Sequence, residues 1–398
     1  MVRTLLPLFA GLLLVGPVIA HDGHGGAAAA PPKSDYAKVW LERQQNAPRL
    51  AVAARFDDQG RLWLARVVGG QLLLSHSSDG GSSFTEPVAV NRQPELIAAD
   101  GEARPQLAVV GRHVYVSWTQ GLPQPFAGHI RFAVSDDGGA RFSEPLTVND
   151  DQRPITHRFN AMLADADGVT LAWIDKRDGT GDPAYRGAAI YTARSTDGGR
   201  SFAANRKLAD HSCECCRLAL AADTDGTPVL LWRHIFGQNL RDFALARLDA
   251  PLRRVTEDGW AIDACPHHGG ALAIGADGIR HIAWFTGAES GPGLFYRRLA
   301  GDDAGPPLPF GHLDAQAGHP QVAVIGPRVV LVWREYDGRH NLIRRQQSTD
   351  GGRSWSDPAT LAQTAGAADD PLLVSHGEAV RLVWNTAADG LRSLAVQP

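Results

Sequence analysis

Short apolar runs, each closing on a tryptophan, recur along the chain at nearly even intervals. His113–Trp118 (HVYVSW), Val169–Trp173 (VTLAW), Pro228–Trp232 (PVLLW) and Arg328–Trp333 (RVVLVW) are four of them. The series of tryptophans is Trp63, Trp118, Trp173, Trp232, Trp284, Trp333 and Trp384, spaced 49 to 59 residues apart. Runs this short, rich in Val and Leu and bounded by turn residues, have the length and chemistry of β-strands. Ahead of each lies a second run of small apolar residues: LAVAA, LAVVG, AMLAD, LALAA, ALAIG, VAVIG and LLVSH. Seven units of about 54 residues, each with room for four short strands, predict an all-β, seven-bladed propeller of four-stranded antiparallel blades. A six-bladed ring with one unit mis-split is the alternative.

The last unit, Asp370 to Pro398, supplies only three strands, LLVSH, VRLVW and LRSLAV. The run Tyr36 to Glu42 (YAKVWLE) stands alone before the first unit. Pairing it as the fourth strand of the last unit closes the ring and removes an exposed edge.

A second repeat falls between these strands. One octet occurs four times: SSDGGSSF at Ser77–Phe84, SDDGGARF at Ser135–Phe142, STDGGRSF at Ser195–Phe202 and STDGGRSW at Ser348–Trp355. Its Asp-Gly-Gly core suits a tight hairpin that needs positive φ, and its Ser and Asp side chains can bond turn amides. The octet resembles the Asp box of the bacterial neuraminidase repeat, and the chain resembles the sialidase-like β-propeller superfamily as a non-sialidase member. The resemblance implies that the box lies on the face away from the ligand, so Asp79, Asp137, Asp197 and Asp350 are read as structural.

The N-terminus is a separate object. Arg3 precedes an apolar run from Leu5 to Ala20, broken by Gly11, Gly16 and Pro17 and ending in small residues, the pattern of a cleaved secretory signal over residues 1–20. Residues 21–35 read as a flexible His/Ala/Pro leader, and residues 36–398 as one propeller domain. After cleavage no span crosses a membrane, and the protein is expected in the periplasm or outside the cell. A free amine at His21, with His24 nearby, would chelate Cu(II). Net charge is −4 with the charges interspersed, which offers no basic face to a nucleic acid. Neither nucleotide nor haem is indicated.

Candidate chemistry gathers where the innermost strands begin, around the channel mouth. Arg104, Arg158, Cys215, His268, His319 and Asp370 occupy that position in six units. The sequence HSCECCR places Cys213, Cys215, Cys216 and Arg217 together, and CPHH places Cys265, His267 and His268 in the next unit. In an oxidising compartment four cysteines suit two disulfides. Thiolate and imidazole ligands equally suit copper or zinc. Cys213, Cys215, Cys216, Cys265, His267 and His268 are therefore candidate metal ligands, expected in one neighbourhood. Arg104, Arg158, Arg217, His319 and Arg334 are candidates for a small anionic ligand, and the broad propeller face for a protein partner.

Sialidase-type hydrolysis of an acidic sugar is the competing function. The resemblance implies an arginine triad, a Tyr nucleophile paired with Glu, and an Asp acid/base. Arg104, Arg158 and Arg217 with Asp175, Glu335 and Tyr336 would fill those roles. The family's Arg-Ile-Pro segment near the start is missing, and neighbouring Glu335 and Tyr336 on one strand should point to opposite sides.

Overall fold

The structure is a computed structural model and describes residues 33–397 apart from 180, 183 and 302. The expected signal segment and nearly all of the leader, with His21 and His24, lie outside the described residues. Among the described residues the strands form six antiparallel sheets, the largest of which joins two four-stranded units through a bridge between Ser212 and His234, so that seven units follow one another along the chain, each running outward from an innermost strand. Unit 1 comprises Ala53–Phe56, Leu62–Val68, Gln71–Ser77 and Val88–Ala89; unit 2 comprises Gln106–Val110, His113–Gly121, Gly128–Ser135 and Leu146–Thr147. In unit 3 the strands are His157–Asp165, Gly168–Asp175, Ala188–Ser195 and Arg206–Ser212; in unit 4 they are Ala219–Ala222, Pro228–Phe236, Leu240–Arg247 and Arg253–Arg254. Unit 5 has Ala271–Ile274, Arg280–Thr286 and Gly293–Ala300, with Asp303–Ala304 and Leu308–Phe310 both on its outer edge. Unit 6 has Gly318–Ile325, Arg328–Tyr336, His340–Ser348 and Ala359–Ala365, and unit 7 has Leu372–His376, Ala379–Thr386 and Gly390–Ala395. The innermost strands pack side by side in chain order, and that of unit 7 returns to that of unit 1. The fold is an all-β propeller.

Burial explains the ring. Alternate residues of a strand face opposite sides of its sheet, and a unit covered by a neighbour on each side must be apolar on both. All seven tryptophans lie on second strands and are at most 2% exposed. The apolar side chains form seven clusters, one at each junction of consecutive units and one joining unit 7 to unit 1 through Val374, Val383, Val52 and Leu64.

The octets sit at the ends of the third strands and fasten one unit to the one before it. In the last, the Ser348 hydroxyl donates to Asp350 (2.7 Å) and accepts from Gly352 N–H (2.8 Å), while Asp350 accepts from the backbone of Arg353 and Ser354 and from the Ser354 hydroxyl. The other three turns repeat the pattern. Hydroxyl and backbone donors hold all four carboxyls below their ordinary range, so each is engaged in its own turn. The second glycine packs against the preceding unit. A Cβ on Gly352, at φ +82°, would lie 1.9 Å from the Tyr296 hydroxyl of unit 5, and one on Gly139 would lie 2.8 Å from the Trp63 ring of unit 1.

The segment expected to close the ring as a strand does something else. Lys33–Asn46 is an α-helix, and unit 7 keeps three strands. Lys, Ala, Leu, Glu, Arg and Gln dominate this segment, and their helical preference prevails where no sheet edge recruits the chain. The seam is closed instead by packing and side chains. Asn385 donates to Leu50 O (2.9 Å), and Ser393 donates to Gly80 O (2.9 Å).

The turn hydrogen bonds yield a stability prediction. Ser348→Ala strips a buried hydroxyl from three turn partners and should cost about 1–3 kcal/mol, read as a lower denaturant midpoint at unchanged slope. Gly352→Ala should cost more than Ser348→Ala, because Cβ and the Tyr296 hydroxyl cannot occupy one place.

Candidate metal centre

The connections on the face opposite the octets carry the chemistry, and the structure sorts them into two clusters. The first is made of thiols. Between the outer strand of unit 3 and the inner strand of unit 4 the chain turns through Cys213, Cys215 and Cys216, each 4% exposed or less. Cys213 Sγ lies 3.6 Å from Cys216 Sγ and 3.8 Å from Cys215 Sγ. These separations are far beyond the roughly 2.05 Å of a disulfide, and all four cysteines are free. The expected disulfides are therefore not formed. The three Sγ atoms lie within 4.8 Å of one another, a spacing that one metal ion can bridge. Cys265, exposed on the connection from unit 4 to unit 5, brings its thiol beside Cys215.

Guanidinium groups surround these thiols. Arg241 Nη1 donates to Cys213 Sγ at 3.2 Å, Arg233 adds its field, and Arg158 lies near Cys215. Hydrogen bonding with Cys215 and Cys216, reinforced by the charges of Arg241 and Arg233, holds the Cys213 thiol well below its ordinary range. The hydrogen bond to Cys213 pushes Cys215 up, and burial does the same to Cys216.

The second cluster is a charged network on the propeller axis, centred on Glu102. Its carboxylate accepts from the backbone N–H of Arg217 (2.8 Å) in the approach to unit 4 and of Gly269 (2.9 Å) in the approach to unit 5. Arg217 Nη1 at 2.9 Å and His319 Nδ1 at 3.1 Å, from unit 6, complete its coordination. Burial opposes ionisation, but Arg217 and His319 outweigh it and hold the Glu102 carboxyl far below its usual range. His319 Nδ1 also lies 3.0 Å from Asp370, which accepts from Arg334 at 2.9 Å. Arg104 contacts both oxygens of Asp369 at 3.2 Å and donates to Val52 O at 2.9 Å, tying units 1, 2 and 7. The backbones are close here: a Cβ on Gly101 would lie 1.9 Å from Asp370 Oδ2.

Several expected site residues take other places. His268 does not join the thiols. Its ring stacks on Phe285 at 4.2 Å and lies 4.8 Å from His319, while His267 is exposed. The single neighbourhood expected of the six ligands is therefore divided, because successive residues of an extended segment point opposite ways. Arg104, Arg217 and Arg334 each meet a carboxylate. Arg158 has no ion pair among the described residues and lies 5.1 Å from the Phe159 ring centroid. Asp175 accepts from the Trp173 indole (2.8 Å) and from Arg177 (2.8 Å), and Glu335 from the Trp333 indole (2.7 Å) and His312 N–H (3.0 Å). Glu335 is 3% exposed and Tyr336 is 37% exposed, so the pair divides across the sheet.

Sequence reasoning passed over Glu102, Arg241 and Asp369. It also passed over a pattern around the tryptophans. The indoles of Trp63, Trp118, Trp173, Trp284 and Trp333 donate to Asp57, Glu95, Asp175, Asp258 and Glu335. The Trp232 indole is buried without a partner, and two residues on stands His234, with Nδ1 equally unpartnered, where units 3 and 6 have an acid. Trp232 and the three thiols belong to one buried cluster.

The fold and the thiol cluster together define a propeller with a candidate metal centre on one face. No protein-family model matches the sequence, and no curated protein matches it. Among solved structures the chain is similar to an ulvan lyase, described as a new family of polysaccharide lyase, at TM-score 0.56 and 12% identity over 87% of this chain and 92% of that one. A lectin from Burkholderia pseudomallei gives TM-score 0.56 at 12% identity, covering 87% of this chain and 99% of its own. Another polysaccharide lyase gives 0.51 at 8% identity over 86% and 88%. At such identities the likeness is one of fold, shared with carbohydrate-active proteins.

Two predictions follow from the buried charges. Glu102→Ala leaves Arg217 buried without its counter-charge and should destabilise by about 3–5 kcal/mol, measured by urea unfolding. Burial lowers His234 and His281 to about 4. Between the unfolded value of about 6.5 and 4 the unfolded chain takes up protons that the folded chain refuses. Stability present above pH 6.5 is therefore lost as pH falls toward 4, by up to about 1.4 kcal/mol per pH unit for each group. His234→Phe should flatten this dependence in unfolding midpoints recorded across that range.

Proposed function

We propose that this protein is an exported β-propeller that binds a soft metal ion, copper(I) before zinc, through Cys213, Cys215 and Cys216. The observation that carries this reading is the triangle of three buried, unbridged thiols edged by Arg241, Arg233 and Arg158. Soft thiolates select copper(I) and zinc. Three ligands satisfy copper(I), whereas a closed zinc site takes four. Nearby guanidinium charge offsets the negative charge of three thiolates around a monovalent ion, which eases burial of the complex. The octets support membership of a sialidase-like propeller group, and the apolar N-terminal segment supports export to the periplasm or beyond.

A second reading, action on an acidic sugar, is favoured by the likeness to polysaccharide lyases and a lectin. That likeness is of fold, and fold does not assign function. Three of the four arginines proposed for such a ligand already meet a carboxyl group, Arg104 at Asp369, Arg217 at Glu102 and Arg334 at Asp370, which leaves Arg158 alone without an ion pair among the described residues.

Titration of the reduced, metal-free protein with copper(I) held by bicinchoninate tests the proposal. One ion should bind per chain, and Cys213→Ser should abolish binding while the fold, read by circular dichroism, persists. Because each ligand binds as a thiolate and Cys215 and Cys216 are held above their ordinary range, affinity should rise with pH and protons should be released on binding. Wild-type protein that takes neither copper(I) nor zinc, yet binds an acidic oligosaccharide, reverses the order of the two readings.

A further inference from the structure

Resting on that reading, we propose that Cys265 is the entry ligand of the centre, taking copper(I) from a thiol-bearing carrier outside and passing it to the buried triangle. Two observations carry this. Burial of Cys213, Cys215 and Cys216 leaves no face of the triangle from which a bulky donor could present a metal. Cys265 is exposed on a connection held against the cluster by Arg241, whose N–H donates to Trp260 O at 2.8 Å and whose Nη1 donates to Cys213 Sγ at 3.2 Å, so one sulfur stands between solvent and the triangle.

The backbone around Cys265 supports a movable ligand between fixed points. On one side Ala261 bridges Leu240, and Arg241 N–H donates to Trp260 O at 2.8 Å. On the other, His268 O accepts from Arg233 at 2.9 Å and Gly269 N–H donates to Glu102. Between these anchors Asp263, Cys265 and His267 are exposed, and no regular hydrogen-bond ladder holds them. His267, two residues on, offers a second donor at the rim. The buried loop is fixed by contrast: Cys213 N–H donates to Arg233 O (2.9 Å) and Arg217 N–H to Glu102 (2.8 Å).

The transfer is ligand exchange without redox change. The Cys265 thiolate bonds to carrier-bound copper(I), one carrier Cu–S bond breaks, and the leaving sulfur takes up the proton that Cys265 gave up. The Cys213 thiolate then bonds to the same ion. Cys215 and Cys216 follow, their protons passing to solvent, and the remaining carrier bonds and the Cu–S bond of Cys265 break in turn. Copper stays monovalent throughout.

The experiment separates rate from capacity, with wild-type, Cys265→Ser, His267→Ala and Cys213→Ser proteins held reduced and mixed with copper(I) bound to glutathione. Cys265→Ser should reach the same stoichiometry as wild type while loading more slowly by about an order of magnitude, since exchange rates follow thiol access. His267→Ala should slow loading by less, and thermal melting should confirm that both rim variants fold. Loading of Cys265→Ser at the wild-type rate overturns the inference and leaves the proposed centre standing. Loss of stoichiometric binding in Cys265→Ser also overturns it, by making Cys265 a permanent fourth ligand. Failure of the wild type to bind copper(I) removes the centre itself and the inference with it.

Discussion

A carboxylate on the axis of a ring of sheets is costly to bury, and the structure meets that cost at Glu102 with four donors drawn from three other units. The arrangement constrains everything near it. The inner strands of units 4, 5 and 6 must approach closely enough for one side chain to reach all of them, which places Gly269 against Arg217 and Gly101 against Asp370. Apolar packing between units supplies most of the cohesion of such a ring but has no direction, so neighbouring sheets could slide. The Glu102, Asp369 and Asp370 carboxylates with Arg217, Arg104, Arg334 and His319 give the top face a register that hydrophobic contact alone does not.

The thiol centre inherits its shape from that register. Arg217 follows Cys216 directly, so the grip of Glu102 on Arg217 sets one end of the cysteine loop, and the bond from Cys213 N–H to Arg233 O sets the other. Arg233 spans units 4 and 5 from full burial, donating to Arg241 O, His268 O and Phe285 O between the rings of Phe243 and Trp260. The guanidinium that biases the thiols toward ionisation thus also bolts together the two connections on which all four cysteines lie. Thiol chemistry and unit packing are coupled through that one side chain.

Strand positions were legible because local signals set them: the tryptophan runs, the small apolar runs and the octets all appear as strands and turns where their patterns place them. The grouping of cysteines on two neighbouring connections was legible for the same reason. Glu102 was not, since its significance depends on partners 115 and 217 residues away in the chain, and one acid beside a strand carries no mark of them. Lys33–Asn46 was misread because an apolar fragment, YAKVWLE, outweighed the helix-forming residues around it. Asp175 and Glu335 held a signal that went unused. Each stands two residues after a tryptophan, hence on the same side of its strand, which makes an indole acceptor the simplest role.

The seam between units 7 and 1 has a topological consequence. In many rings the first and last segments share a sheet, so the termini act as a clasp. Here every unit is built from one continuous stretch of chain, and the seam is held by apolar packing and side-chain hydrogen bonds with no strand shared across it. Chain order is then incidental to closure. Linking the two sides of the seam and opening the connection between units 5 and 6 would yield a circular permutant with every sheet intact. The two connections that bear the cysteines would still be neighbours in it.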